Sequence, residues 1–179
     1  MTQNRTLSLI LPAFGAAIIA ALAQIVIPIG AVPITLQTFA VGLVAAILKP
    51  REATLAATLY LILGAIGLPV FAGGGGGLQA FFGPSAGYLL AYPFFALVTS
   101  ALAHAKTPIW KIFLAFVLGD ALVFVGGILS LHFLGKMGWS AAVAVGLTPF
   151  IIPDLLKGLI LALVTKPVLK ALKNHSYFN

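Results

Sequence analysis

The chain has 179 residues, of which 61% are hydrophobic and only 7% charged, and its mean hydropathy is +1.16. Soluble domains carry about 25% charged residues, so this balance excludes a soluble fold and points to an all-α integral membrane protein, with room for about six transmembrane helices in a single domain spanning 1–179. The formal net charge of +7 is scattered one or two residues at a time between apolar runs, which speaks for membrane topology and against nucleic acid, and the lack of cysteine excludes disulfide and thiolate chemistry.

Arg5 precedes an apolar run over residues 7–27. Ala21-Leu22-Ala23 resembles a signal-peptidase site, but the run continues through Ile25-Val26-Ile27, so a retained first span is expected and not a cleaved leader. Along it Ala13, Ala17 and Ala21 recur every four residues, with Gly15, Ala16 and Ala20 beside them, making a flat face that another helix can approach closely. Pro28 and Pro33 flank an uncharged connection that regular helix cannot cross. A second run over 35–48 is short for a span unless it tilts, and Lys49-Pro50-Arg51-Glu52 ends it. A third span is expected over 53–71. After it comes an uncharged loop over 72–84 that holds five consecutive glycines, Gly73 to Gly77, and Gln79. The fourth span covers 85–103, and the fifth covers 110–134 with Asp120 inside it. The last, over 143–172, is long enough to need a tilt or an irregular start at Pro149 and Pro153.

Alternate loops test the topology. Arg5, Lys49, Arg51, Lys106, Lys111, Lys166, Lys170 and Lys173 fall on one side, which is eight of the ten Lys and Arg; Lys136 alone falls on the other, and Lys157 is intramembrane. The positive-inside rule then makes both termini cytoplasmic and the proline-flanked and glycine-rich loops external.

Asp154 and Lys157 lie in the first turns of the last span, on the side of those external loops. A charge at bilayer depth costs about 2.5–3.5 kcal/mol on insertion scales, and a spacing of three puts both on one helix face, as a structural ion pair or as partners on a ligand. A glycine run can turn backbone N–H groups toward a ligand oxygen, but no lysine follows it, so it is no nucleotide loop. Enzyme readings find no support. Val117-Leu118-Gly119 precedes Asp120 where intramembrane aspartyl proteases carry Gly-x-Gly, no serine sits in a G-x-S-x-G elbow, and His104, His132 and His175 lack ligand spacing, so neither catalytic residues nor a metal site are expected. Asp120, nearer the middle of its span, is expected to be structural. A small polar organic ligand fits better: Gln37 and Gln79 offer amide donors and acceptors, and Phe39, Phe71, Phe82 and Tyr88 can enclose an apolar body. Because buried acids also mark ion paths, an ion or proton-coupled small-solute carrier or channel acting alone is the alternative.

Five motifs, in order, carry a resemblance. Val32-Pro33-Ile34-Thr35-Leu36-Gln37-Thr38-Phe39, the stretch from Tyr60 through Gly64, Leu68-Pro69-Val70-Phe71 to Gly73-Gly74, Gly83-Pro84-Ser85-Ala86-Gly87-Tyr88-Leu89, Gly119-Asp120, and Pro149-Phe150 followed by Asp154-Leu155-Leu156-Lys157 strongly resemble the BioY family, the biotin-specific substrate-binding (S) subunits of energy-coupling factor (ECF) transporters. There are departures, such as Lys49-Pro50 where Leu-Gly is usual and Ser85-Ala86 where Thr-Gly is usual, but the aspartate and lysine of the last motif stand. The resemblance implies high-affinity biotin uptake, a six-helix fold in the bacterial cytoplasmic membrane with both termini inside, and an external site covered by the first loop. It implies as partners a membrane coupling subunit and two cytoplasmic ATPases; the chain would carry no cofactor, ATP being used by those partners. The expected biotin site is Gln37, Phe39, Phe71, Gly73, Gly74, Gln79, Tyr88, Asp154 and Lys157, with Asp154 accepting a ureido N–H and Lys157 donating to a ligand oxygen. Ala13, Ala17 and Ala21 would form the face on which the coupling subunit docks.

Overall fold

The structure, a computed structural model, describes residues 2–28, 32–103, 107–172 and 177, with side chains from residue 6 onward. Among the described residues seven α-helices run in the order α1 (Thr2–Leu22), α2 (Gln37–Ile47), α3 (Pro50–Ala65), α4 (Ala86–Leu102), α5 (Ile109–Phe133), α6 (Trp139–Gly146) and α7 (Ile151–Leu172). Two short strands, β1 (Val26–Ile27) and β2 (Ile34–Thr35), pair antiparallel between α1 and α2, with Val26 opposite Thr35.

Most boundaries follow from local chemistry. Pro50 opens α3, where its missing N–H is one of the orphans anyway, and Glu52 lies in that first turn. Pro108, in extended conformation, precedes α5 in the same way. Two expectations need correction. The first span does not stay helical to Ile27: α1 ends at Leu22, and the β-branched pair Val26–Ile27 joins β2 instead. The third does not reach Phe71, because Gly67 at φ +102° terminates α3. The glycine-rich loop folds into two short 3₁₀ turns, Ala72–Gly74 and Leu78–Phe81. The irregular start expected for the last span is a break at residues 147–150, where α6 and α7 meet at a bend of 42°, and this is why seven helices stand where six were expected. Pro153, in the first turn of α7, needs no hydrogen-bond partner there.

The outer surface differs from that of a soluble protein in being apolar. On α5 the large side chains Trp110, Leu114, Leu118, Leu122, Val125, Leu129 and Phe133 recur every three or four residues and all are exposed, while Ala115, Gly119, Asp120, Gly127 and Ser130 are buried. Helix α7 repeats the arrangement, with Leu155, Leu156, Leu159, Ile160 and Leu163 outside and Gly158, Ala162 and Thr165 inside. Larger side chains such as Ile112, Phe116, Leu131 and Leu161 are buried beside the small ones, and an apolar belt facing outward as well as inward is what a lipid surround selects. By length and composition α5 can cross a membrane on its own, and the α6–α7 pair can do so as one broken span; α1, α2 and α4 are shorter apolar helices.

Small residues set how closely the helices approach. Helices α4 and α5 make the most extensive contact in the fold, and they cross at Gly87 and Gly126, where a Cβ on Gly126 would lie 2.5 Å from the Gly87 carbonyl oxygen. Backbone cannot yield there as a flexible side chain would. Gly126→Val is therefore expected to force the helices apart, at a cost of about 1–3 kcal/mol or more, and to lower the thermal midpoint of the purified protein. Gly138→Ala, which adds its methyl to open space, is the control; equal midpoints for the two variants would contradict the close crossing.

Candidate functional site

Thr35, at the end of β2, organises the start of α2. Its hydroxyl accepts the Gln37 backbone N–H at 3.1 Å and donates to Gln37 Oε1 at 3.1 Å, a local side-chain bond that suits the first turn of a helix. The other end of the Gln37 amide is fixed across the bundle, where Nε2 donates to the Tyr60 hydroxyl at 2.6 Å. One residue on, Thr38 reaches α7: its hydroxyl accepts from Lys157 Nζ at 3.1 Å and donates to Asp154 Oδ1 at 3.4 Å. Lys157 Nζ in turn donates to Asp154 Oδ1, closing a triad. Asp154 is 4% and Lys157 8% exposed. Buried charges persist only when paired and hydrogen-bonded, and here the pairing is mutual.

This triad is the floor of a cavity of about 420 Å³, within the range of small-molecule sites, roughly 300–1,000 Å³. Phe71, Tyr88, Tyr92, Phe124 and Phe150 line its walls. Phe71 is seated on α3 because Gly64 leaves room for its ring, and it meets Tyr60 edge-on at 5.5 Å and Phe81 at 5.7 Å. Tyr88 donates its hydroxyl to the Gly146 carbonyl of α6 at 2.7 Å, so its polar end is committed and the cavity meets the ring. Helices α2, α4 and α7 all begin at this end of the bundle. Their positive dipole ends favour a ligand oxygen placed nearby.

The wall is also tied to α1. Gln24, two residues beyond α1, donates from Nε2 to the Ala20 carbonyl in the last turn of that helix at 3.0 Å and faces the carbonyls of Val70 at 3.3 Å and Phe71 at 3.4 Å. The β1–β2 pair makes a second tie, leading from α1 directly to Thr35.

Of the residues expected at the site, Gln37, Phe71, Gln79, Tyr88, Asp154 and Lys157 line this cavity, while Phe39, Gly73 and Gly74 do not. Phe39 is two residues beyond Gln37, about 200° around a helix, and packs against the core instead. Gly73 and Gly74, at φ +64° and +78°, form the outer side of the first 3₁₀ turn and are exposed; Gly75 and Gly76 supply the lining in their place. Phe82, another expected wall residue, is 76% exposed. Gln79 lies at the rim with its Nε2 donating to the Gly76 carbonyl at 2.6 Å. Ala13, Ala17 and Ala21 are all exposed on α1, and among the described residues none from that helix lines the cavity. Among the histidines, His132 stacks on Trp139 at 3.8 Å with Nδ1 2.7 Å from the Met137 carbonyl; His104 and His175 lie outside the described residues. Asp120 is buried, and its Oδ1 has no hydrogen-bond partner among the described residues.

Sequence reasoning missed Thr38, Tyr60, Tyr92 and Phe150. For Thr38 a signal existed, a second polar residue beside Gln37 at the head of an apolar helix, and Tyr92 follows Tyr88 by four and so shares its face. Tyr60 and Phe150 stand inside motifs that carry the resemblance, but their residue type alone does not separate them from the many aromatic residues that only pack.

Comparison with known proteins gives concordant matches. The model of the BioY family matches residues 1–174. A protein of Lactococcus lactis subsp. cremoris named biotin transporter BioY2 is 42% identical over 180 residues, covering 99% of both chains. A biotin transporter BioY of Thermotoga maritima is 39% identical over 142 residues, 79% of this chain and 83% of that protein. Among solved structures, the S-component for biotin from an ECF-type ABC transporter superposes with a TM-score of 0.87 at 26% identity, covering 100% of this chain and 99% of the other.

Proposed function

This chain belongs to the BioY family, and from that premise we propose that it takes up biotin as the S-component of an ECF transporter, with biotin held in the cavity above Asp154 and Lys157. The observation that carries the reading is the correspondence over the full chain with proteins named biotin transporters. The chemistry of the cavity agrees. Biotin presents a ureido ring with two N–H donors and a carbonyl, an apolar bicycle and a carboxylate tail. Asp154 accepts a ureido N–H, Lys157 donates to a ligand oxygen, Gln37 and Gln79 complete the polar set, and the aromatic walls enclose the bicycle.

The whole chain acts as one transmembrane binding domain in the bacterial cytoplasmic membrane, with six spans if α6 and α7 count as one. Both termini are cytoplasmic and the cavity opens outward, as the Lys and Arg distribution supports. A membrane coupling subunit and two cytoplasmic ATPases supply the energy; ATP is their substrate, and this chain needs no cofactor. The exposed face of Ala13, Ala17 and Ala21 is where the coupling subunit docks.

Calorimetry on the purified chain with biotin, and with other vitamins as controls, tests the ligand. Saturable heat with biotin alone is expected. A folded sample that gives no heat with biotin overturns the reading in favour of an ion or proton-coupled carrier.

A further inference from the structure

Asp120 is 4% exposed and its Oδ1 finds no hydrogen-bond partner among the described residues. A buried carboxylate oxygen left in this way is costly and calls for a reason. The packing of α5 on α7 supplies one. The two helices run antiparallel, with Phe116 of α5 against Gly158 of α7 and, two turns along, the Phe124 ring 6.4 Å from that of Phe150. Four residues from each contact, the register sets Asp120 opposite Asp154. Asp120 also shares the face of α5 that carries Val123 and Phe124, three and four residues on, and both of these line the cavity. The charges of Asp154 and Lys157 both act on it.

An ammonium has three protons, and Lys157 directs two, to Asp154 Oδ1 and to Thr38 Oγ1. Among the described residues, the Asp120 oxygen is without a donor, and the Lys157 ammonium, bonded to Asp154, has a proton to spare for it. We propose that Asp120 is a positioning residue for the ligand site: when a ligand N–H takes over Asp154, Asp120 receives the ammonium of Lys157 and holds it toward the ligand oxygen. The proposal rests on the biotin reading above and goes beyond it, since Asp120 itself does not line the cavity.

The test is a double-mutant cycle on the full chain in detergent, with biotin affinity read by calorimetry. Asp120→Asn is expected to weaken binding roughly 10- to 100-fold, the range for a hydrogen bond to a charged group. Asp120→Glu, which keeps the carboxylate, is expected to recover most of that loss. In a Lys157→Met background, Asp120→Asn is expected to change affinity by no more than about twofold, the scatter of additive substitutions. A residue that only supports the fold would weaken binding equally in both backgrounds, and that result overturns the proposal. So does wild-type affinity in Asp120→Asn, or failure of both Asp120 variants to fold. If the wild-type chain itself gives no heat with biotin, the ligand reading fails and this proposal falls with it.

Discussion

Replacing Asp154 by asparagine is expected to lower biotin affinity by about 2–5 kcal/mol, the cost of truncating one partner of a buried, hydrogen-bonded charge pair, while the empty protein still folds. Asparagine keeps the shape and one oxygen acceptor, but it loses the charge and turns an amide N–H₂ toward an ammonium that is already a donor. A ureido N–H then meets a neutral acceptor in competition with Lys157. The empty protein tolerates the change better, because Lys157 keeps the Thr38 hydroxyl at 3.1 Å and borders a cavity that admits water. Calorimetry beside a thermal melt of the empty chain separates these effects. A variant that fails to insert or fold, yet binds normally in whatever fraction does fold, would show that the pair only pins α7 to α2.

The second large effect is expected from Ala17→Trp, which should abolish assembly with the coupling subunit and ATPases, and with it uptake, while leaving biotin binding by the isolated chain unchanged. Ala13, Ala17 and Ala21 occupy the exposed side of α1, whereas Ala16, Ile19 and Ala23 are fully buried on the other. Close approach between helices depends on small side chains at the contact, and an indole there holds a partner helix off without entering a cavity to which α1 contributes nothing. Co-purification of the variant with its partners at wild-type yield would remove the docking assignment. Joint loss of biotin binding and assembly would mean that this face packs within the chain.

The polar part of the site was more legible in the sequence than its shape. Asp154 and Lys157 stood out because a charge in an apolar span is expensive and rare, and their spacing of three already placed them on one face. Gln37 was visible as an amide donor and acceptor in an uncharged segment expected to be external. Shape was harder to read, because it depends on rotation about helices and on where they stop. Phe39 is two residues from Gln37 yet faces the core, and Gly73 and Gly74 turn outward while their neighbours Gly75 and Gly76 line the cavity. The helix ends at Leu22 and Ala65 were hidden because the apolar run continues past each of them, and hydropathy does not distinguish a helix from the strand or turn that follows. The break between α6 and α7 was half visible in Pro149 and Pro153. Asp120 carried the same signal as Asp154, but only the register of α5 on α7 brings the two together.

The ties of Gln24 give α1 a mechanical role distinct from its outer surface. The segment that carries Phe71 lies beyond the end of α3, and its carbonyls face an amide at the end of α1, while the paired strands lead from that same end to Thr35 and Gln37. If the last turn of α1 moves, it must either break these contacts or pull the cavity wall along. A load applied to the outer side of this helix is therefore transmitted, as through a short lever, to the aromatic wall and the glutamine beside it.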